Sequence, residues 1–524
     1  MGRYINIGNV GFRSARNGEY VDKSGLIAVT NKTLFTEQRF SCVSRCRRFG
    51  KSMAAKMLCA YYDYSCDSRS LFADLKIAGD DQFEKHLNKY PVIYLDMTNI
   101  VTQKVDDVIG KMEADLRADV CEAFPDIPTK DNDGLMDCLL RIVENTQQQF
   151  IFIIDEWDAI CREYKPGTKT MDTYLDWLRR IFKSMDAVRV FAGVYMTGIL
   201  PIKKYRTQSA LNNFVEYSMV RPGGMEGFFG FKTDEVKALA GKYGMEYDEL
   251  EKWYDGYTIG DGNSIFNPNS VMTAVSERWC ESYWGRTGAT DAIEGYIRMN
   301  YEGLKDDIIY MLAGGRCKVN PAGFKNDLAE VHSRDDVLTV LIHLGYLTYD
   351  RRAMECYIPN LEVSYEMELA VKSNKWEGVD TALQESEKLL QATLDGDEDT
   401  VARIIDAAHN EDTSILSYND ENSLACVLSI AYYAAKRNYV IHREMPTGKG
   451  FADLVLLPRK DVNSPAIVVE LKYDRTADAA ISQIKRQQYP DKVAQHTGNM
   501  LLVGINYSKK TKKHKCRIEK YCKQ

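Results

Sequence analysis

Short, mainly apolar runs recur through the first 220 residues, at Phe40–Val43, Pro91–Met97, Phe150–Ile154 and Val188–Met196. Each is rich in β-branched or aromatic residues and stops at a polar or turn-forming residue, the pattern of a strand buried on both faces of a parallel sheet. Helical spacing fills the intervals, beginning at Met53–Leu58 and again from Lys104 to Phe124, where Pro125 and Pro128 end it. Asn213–Val220 offers a fifth strand. Strands alternating with helices predict a doubly wound α/β sheet over residues 1–224.

The pattern changes after that. Residues 225–410 mix charged and apolar positions at helical spacing, as in Thr233–Tyr243, Ser270–Tyr283 and Asp380–Ala392, and predict a mainly helical lid or connector. Asp335–Leu347 reads as a helix running into a strand or turn. Residues 411–524 return to α/β order: a helix from Glu421 to about Arg437, strands at Tyr439–Glu444, Gly450–Leu457 and Ala466–Lys472, a helix over Ala479–Tyr489 and a strand at Met500–Ile505.

The strand ends carry the chemistry. Phe40–Val43 leads through Arg45-Cys46-Arg47-Arg48-Phe49-Gly50-Lys51-Ser52 into a helix, the setting of a phosphate-binding loop. Backbone N–H groups at such a helix start face phosphate, Lys51 reaches the terminal phosphates and the Ser52 hydroxyl ligates Mg2+. Arg45 stands where the full pattern begins with Gly, so a chance Gly-Lys-Ser remains the competing reading. The run Phe150–Ile154 ends in Asp155 and Glu156. Asp155 suits a water-mediated Mg2+ contact and Glu156 the general base, against the alternative of a solvated acidic turn. Thr197, closing the next strand, is placed as a sensor of the γ-phosphate or an ordinary Thr-Gly turn, and Arg206 and Arg221 are further cations for bound phosphate.

In the last third, Asp453 and Glu470-x-Lys472 fall on neighbouring predicted strands. Residues two apart on a strand share a face, so Glu470 and Lys472 point to one site that Asp453 can join. Two carboxylates are the hard donors that Mg2+ or Mn2+ prefers, and a metal there activates water for phosphodiester displacement. Glu421 is a candidate additional ligand, and Lys472 can orient the water or offset developing charge. A same-face surface ion pair is the bland alternative. The basic stretch Ser508–Lys515 reads as a solvated hairpin turn or a phosphate contact.

Composition narrows the setting. The 45% hydrophobic and 27% charged content is globular, and a net charge of −7 argues against a basic nucleic-acid coat. The 13 cysteines lack a paired zinc spacing and suit a reducing cytoplasm. No apolar run is long enough for a membrane span and the start lacks a secretion signal, so the expected location is cytoplasmic, without membrane contact.

As an ordered series, Arg45-x-Arg47-Arg48-Phe49-Gly50-Lys51-Ser52, Ile154-Asp155-Glu156-x-Asp158, Thr197-Gly198, Trp253-Tyr254-Asp255-Gly256-Tyr257 and Phe266-Asn267-Pro268 resemble the prokaryotic AAA-ATPase-like family. Arg45 is that family's form of the loop, and Cys46 replaces its usual Pro. The resemblance implies a P-loop NTPase core with an extra strand between the two nucleotide motifs. Arg48, Phe49, Gly50, Lys51, Ser52, Asp155 and Thr197 would bind ATP and Mg2+, with Glu156 catalytic. Met445–Asp453, Glu470-x-Lys472 and Gln483-Ile484-x-x-x-x-Tyr489 are similar to the PD-(D/E)XK nuclease-like domain that accompanies this family. That resemblance implies Asp453, Glu470 and Lys472 as catalytic, Asp453, Glu470 and Glu421 as metal ligands, and Gln483 as a polar residue facing the site. The expected protein is an ATPase coupled to Mg2+- or Mn2+-dependent cleavage of DNA, with RNA a lesser candidate and homo-oligomerisation left open. The competing reading is a nucleotide-gated DNA-binding or scaffold protein with an inactive nuclease-like domain.

Overall fold

A computed structural model describes residues 2–522 except 104, 131, 165–166, 203, 206–207, 210, 261, 285–294, 296–300, 302, 313, 325–330, 374–378, 411–427, 429–430, 448–449, 460–461, 463 and 487–498. The chain forms two compact units, one of residues 1–286 with 318–363 and the other of residues 287–317 with 364–524. The stretch 225–410 therefore contributes to both.

The first unit is built on a five-stranded sheet of β1 (Phe40–Ser44), β2 (Val92–Asp96), β3 (Phe150–Asp155), β4 (Phe191–Gly198) and β5 (Val215–Tyr217). All strands run parallel, in the order β2-β3-β4-β1-β5. β4 thus lies between the strand carrying the Gly-Lys-Ser loop and the one carrying Asp155, the extra strand expected. Alternation along β3 explains the continuous apolar run. Phe150, Phe152 and Ile154 join one core and Ile151 and Ile153 the other. Helices α1 (Lys51–Tyr62) on one face, and α2 (Val108–Ala123) and α3 (Lys169–Phe182) on the other, cover them. α2 buries Val108, Met112, Leu116 and Val120, one stripe at helical spacing.

Several element boundaries differ from the sequence reading. β4 starts at Phe191 rather than Val188, because Val190 N–H bonds Asp186 O and holds Ala187–Val190 in a helical turn. α2 starts after Asp107, whose carboxylate accepts from Gly110 N at 2.9 Å and caps it. The helix expected over Ser270–Tyr283 spans Pro268–Glu277, capped by Asn267 and stopped by left-handed Arg278. Within residues 318–363, α4 (Arg334–Leu344) ends at Gly345, with φ +91°, and turns into β6 (Thr348–Asp350), paired antiparallel with β7 (Glu355–Tyr357).

The second unit holds α5 (Val379–Asp395), α6 (Glu398–Asn410) and a sheet of β8 (Tyr439–Thr447), β9 (Gly450–Pro458), β10 (Ala466–Tyr473), β11 (Asn499–Ser508) and β12 (Lys513–Cys522), paired in that order. Only β10–β11 is parallel, and α7 (Ala477–Arg486) is the crossover between them. α7 buries Ala477, Ala480, Ile481 and Ile484, and the two isoleucines join the cluster of Val468 and Leu502, which fixes which of its faces meets the sheet. Among the described residues no helix is long and apolar enough to cross a membrane.

Candidate functional sites

The loop after β1 leaves the sheet at Arg45 and enters α1 at Lys51. Two residues take left-handed conformations, Arg48 at φ +67° and Gly50 at φ +88°. Such alternation turns successive N–H groups inward, the concavity that binds anions. Lys51 is almost fully buried and curls over this loop, donating to Cys46 O at 3.0 Å and lying 3.4 Å from Glu156 Oε1. Arg48 is exposed at the rim. The Phe49 ring is buried edge-on against Tyr257, 5.0 Å between centroids, and Phe49 O accepts from Gly230 N, so this residue also anchors the loop's outer wall.

Asp155, Ser52 and Thr197 converge. The Thr197 hydroxyl donates to Asp155 Oδ1, Tyr94 OH reaches Oδ2 at 3.4 Å, and Ser52 lies close enough to favour the ionised carboxylate. Burial raises the Asp155 pKa, the Thr197 hydrogen bond and nearby Ser52 oppose it, and neighbouring Glu156 adds to the rise. Glu156 takes φ +54°, strained for a residue with a side chain, and its N–H bonds Thr197 Oγ1 at 3.2 Å. Burial raises its pKa, yet Lys51 and Arg162 outweigh that and leave it lowered. Arg162 Nη2 lies 2.5 Å from Glu156 Oε2. The carboxylate is thus held ionised between two cations.

Sequence reasoning missed Arg162 and gave no role to Asp158 or Gly198, though both stand in its motifs. Arg162 sits four residues after Asp158 on one helical turn, an ion-pair spacing that was available. Asp158 is fully buried and accepts from Ile199 N and Leu200 N at 3.2 and 3.0 Å, fixing the chain beyond β4. Gly198 lets this happen: a Cβ there would lie 2.6 Å from Trp157. Arg45 turns away from the phosphate side. It is fully buried, donates from Nη1 to Ser44 O and Tyr217 O at 2.9 Å each, and stacks over Phe229. It joins the ends of β1 and β5, and burial lowers its pKa to about 10. Arg206 lies outside the described residues, and Arg221 lines a separate cavity.

Beside Gly50 and the start of α1, a cavity of about 120 Å3 is walled by Tyr20, Phe49, Met53, Met57, Phe228 and Phe231. Its apolar, aromatic character suits a planar ring.

In the second unit, Asp453 and Glu470 occupy adjacent strands, one step beyond the Leu454–Val469 pair. Glu470 is 1% exposed. Its Oε1 receives Lys472 Nζ at 2.9 Å and the Gln483 amide from α7. Asp453 Oδ2 accepts from Leu471 N at 2.7 Å. Asp453, Glu470, Lys472 and Gln483 are therefore brought together; Glu421 lies outside the described residues. Among the described residues no group of three or more His, Cys, Asp and Glu is arranged to hold a metal. The two carboxylates still fit Mg2+, which keeps several waters and takes one or two protein carboxylates.

Comparison with known proteins agrees with this division. No curated protein matches the chain. Among the solved structures that align are, each at 12% identity, the Aeropyrum pernix ORC2 protein in ADPNP–ADP complexes, over 69% of this chain and 98% of that one with a TM-score of 0.31, and the Aeropyrum pernix ORC1 protein in complex with DNA, over 71% and 98% with a TM-score of 0.22. Likeness at that level transfers no function. Family models match in two places, one described as a predicted AAA-ATPase and the other as the PD-(D/E)XK nuclease superfamily. The chain joins a predicted AAA-ATPase domain, over residues 7–207, to a PD-(D/E)XK nuclease superfamily domain, over residues 419–516.

Proposed function

We propose that the protein binds and hydrolyses ATP in its first unit and cleaves DNA, in preference to RNA, in its second, with nucleotide state governing cleavage. The observation that carries the ATPase reading is the meeting of Ser52, Asp155 and Thr197 beside the Lys51–Glu156 pair. The base enters the aromatic cavity next to Gly50, and the phosphates lie on the loop N–H groups. Lys51 leaves Glu156 for the terminal phosphates, which frees Glu156 to take a proton from the attacking water while Arg162 keeps the carboxylate oriented. Ser52 and Asp155 hold Mg2+, and Thr197 fixes the Asp155 rotamer.

In the second unit, Asp453 and Glu470 hold the metal, and Lys472 shares the Glu470 oxygen from which it can orient a water. A divalent ion bound there supplies a Lewis acid and a lowered water pKa. Gln483 and Lys472 fix the Glu470 carboxylate, so the donor oxygen is preset.

The test is nicking of supercoiled plasmid by the full chain with Mg2+ or Mn2+, with and without ATP. Lys51→Ala and Glu156→Gln are expected to abolish ATP turnover, and Asp453→Ala to abolish nicking. Nicking that survives Asp453→Ala removes the nuclease site. Absence of nicking alongside intact ATP turnover and DNA binding selects the nucleotide-gated binding protein instead.

A further inference from the structure

A second cavity of the first unit, of about 260 Å3, opens between the end of β5 and the piece formed by α4, β6 and β7. It lies apart from the aromatic cavity beside Gly50, and the two share no lining residue. Its inner wall is His343 from the last turn of α4, 1% exposed, with Nδ1 lacking a hydrogen-bond partner. The imidazole stacks on Phe324 with rings 6.2 Å apart at 28°. Burial and the nearby Arg45 charge push its pKa down to about 3, so the ring is neutral and one nitrogen can accept a hydrogen bond. Buried polar atoms are almost always satisfied, and a lone one lining a cavity points to a ligand.

The mouth has the opposite character. Arg221 and Arg351 are exposed lining residues, and neither forms an ion pair among the described residues. Both are held by tight turns: Ser218 N bonds Arg221 O at 2.9 Å, and Asp350 Oδ1 accepts from Arg352 N and Ala353 N just past Arg351. The acid of the lining, Glu216, is engaged by Ile202 N at 2.5 Å. Two guanidinium groups over an aromatic floor match a phosphate joined to a planar ring. The volume sits at the small end of ligand pockets, which limits the ligand to about one nucleotide.

We propose that this cavity is a second ligand site, taking a mononucleotide-sized phosphate monoester, with phosphate on Arg221 and Arg351 and a planar ring against Phe324 and His343. The site is independent of the ATP reading. Its place in the fold gives it a route to the phosphate loop, since Ile342 O of α4 lies 3.9 Å from Cys46 Sγ.

The test is calorimetric titration of the full chain with AMP, GMP, CMP, UMP and inorganic phosphate, in wild type and Lys51→Ala. Binding of at least one mononucleotide that persists in Lys51→Ala is expected. Arg221→Gln and Arg351→Gln should each raise its Kd roughly tenfold or more, as expected for a lost charge-assisted hydrogen bond. Ala322→Trp, at an exposed lining position, should block the cavity by a separate route. No binding by any of the five probes overturns the proposal. So does binding that disappears in Lys51→Ala, or binding indifferent to all three cavity variants. Phosphate alone binding as tightly as every mononucleotide overturns the planar-ring assignment.

Discussion

Replacing Lys472 by Met tests the second site through stability as well as chemistry. Lys472 and Glu470 are 2.9 Å apart, with side chains only 12% and 2% exposed. Removing one partner of a buried pair costs about 3–5 kcal/mol, because the other charge is left in a poor solvent. The Gln483 amide remains on Glu470 and offsets part of this, so about 2–3 kcal/mol is expected. Hydrogen exchange of the full chain measures it locally: amides of β10 should exchange roughly 30- to 150-fold faster, one factor of ten for each ~1.4 kcal/mol. Glu470→Gln with Lys472→Met removes both charges and should return exchange to within about 1 kcal/mol of wild type. Mg2+ at about a hundred times its Kd would stabilise the single variant by about 2.7 kcal/mol and slow β10 exchange again. A change under ~0.5 kcal/mol in Lys472→Met means the pair behaves like a solvated surface one, which refutes the argument from burial. A double variant weaker than the single refutes the charge argument.

Four further outcomes follow from the first site. Because burial raises the Asp155 pKa, Mg2+-dependent ATP turnover should fall at a higher pH than an ordinary aspartate would give. Thr197→Val removes a hydrogen bond that opposes the rise and should move that acid limb further up, read from the pH profile of turnover. Arg45→Gly restores the usual loop residue but loses two carbonyl hydrogen bonds and the Phe229 contact; a fall of about 2–4 kcal/mol in chemical denaturation is expected, and a stabilised variant would refute the joining role. Arg162→Ala removes the cation on Glu156 Oε2, and should lower kcat with little change in ATP affinity.

The strands of both sheets were legible because burial on two faces leaves a continuous apolar run, as in Phe150–Ile154, and because chemistry sits where such runs stop. Asp155, Glu156, Asp453 and Glu470 could be found that way. Arg45 could not: its role depends on Tyr217 O and Phe229, brought to it only by the folding of β5 and the chain beyond. The cavity at His343 was illegible for the same reason. It needs residues 318–363 to return to the first unit, and His343 on an apolar helix reads as plain packing. Val188 was misread because β-branched residues suit a strand, while Asp186, by accepting at its backbone carbonyl, starts a helical turn.

The strand order of the first sheet has a consequence for synthesis. β1 pairs with β4 and β5, so the strand that carries the phosphate loop has no neighbour until residues 191–198 and 215–217 have been made. At about 5–20 residues per second, the ribosome takes on the order of 10–30 s to deliver them. For that interval the Gly-Lys-Ser segment is an unpaired apolar strand and a helix without a sheet. A nascent chain truncated before Phe191 should carry every residue of the loop and retain no nucleotide. Chaperone dependence should concentrate in the same window, since a parallel sheet closed by such distant strands forms late and exposes its edges while it waits.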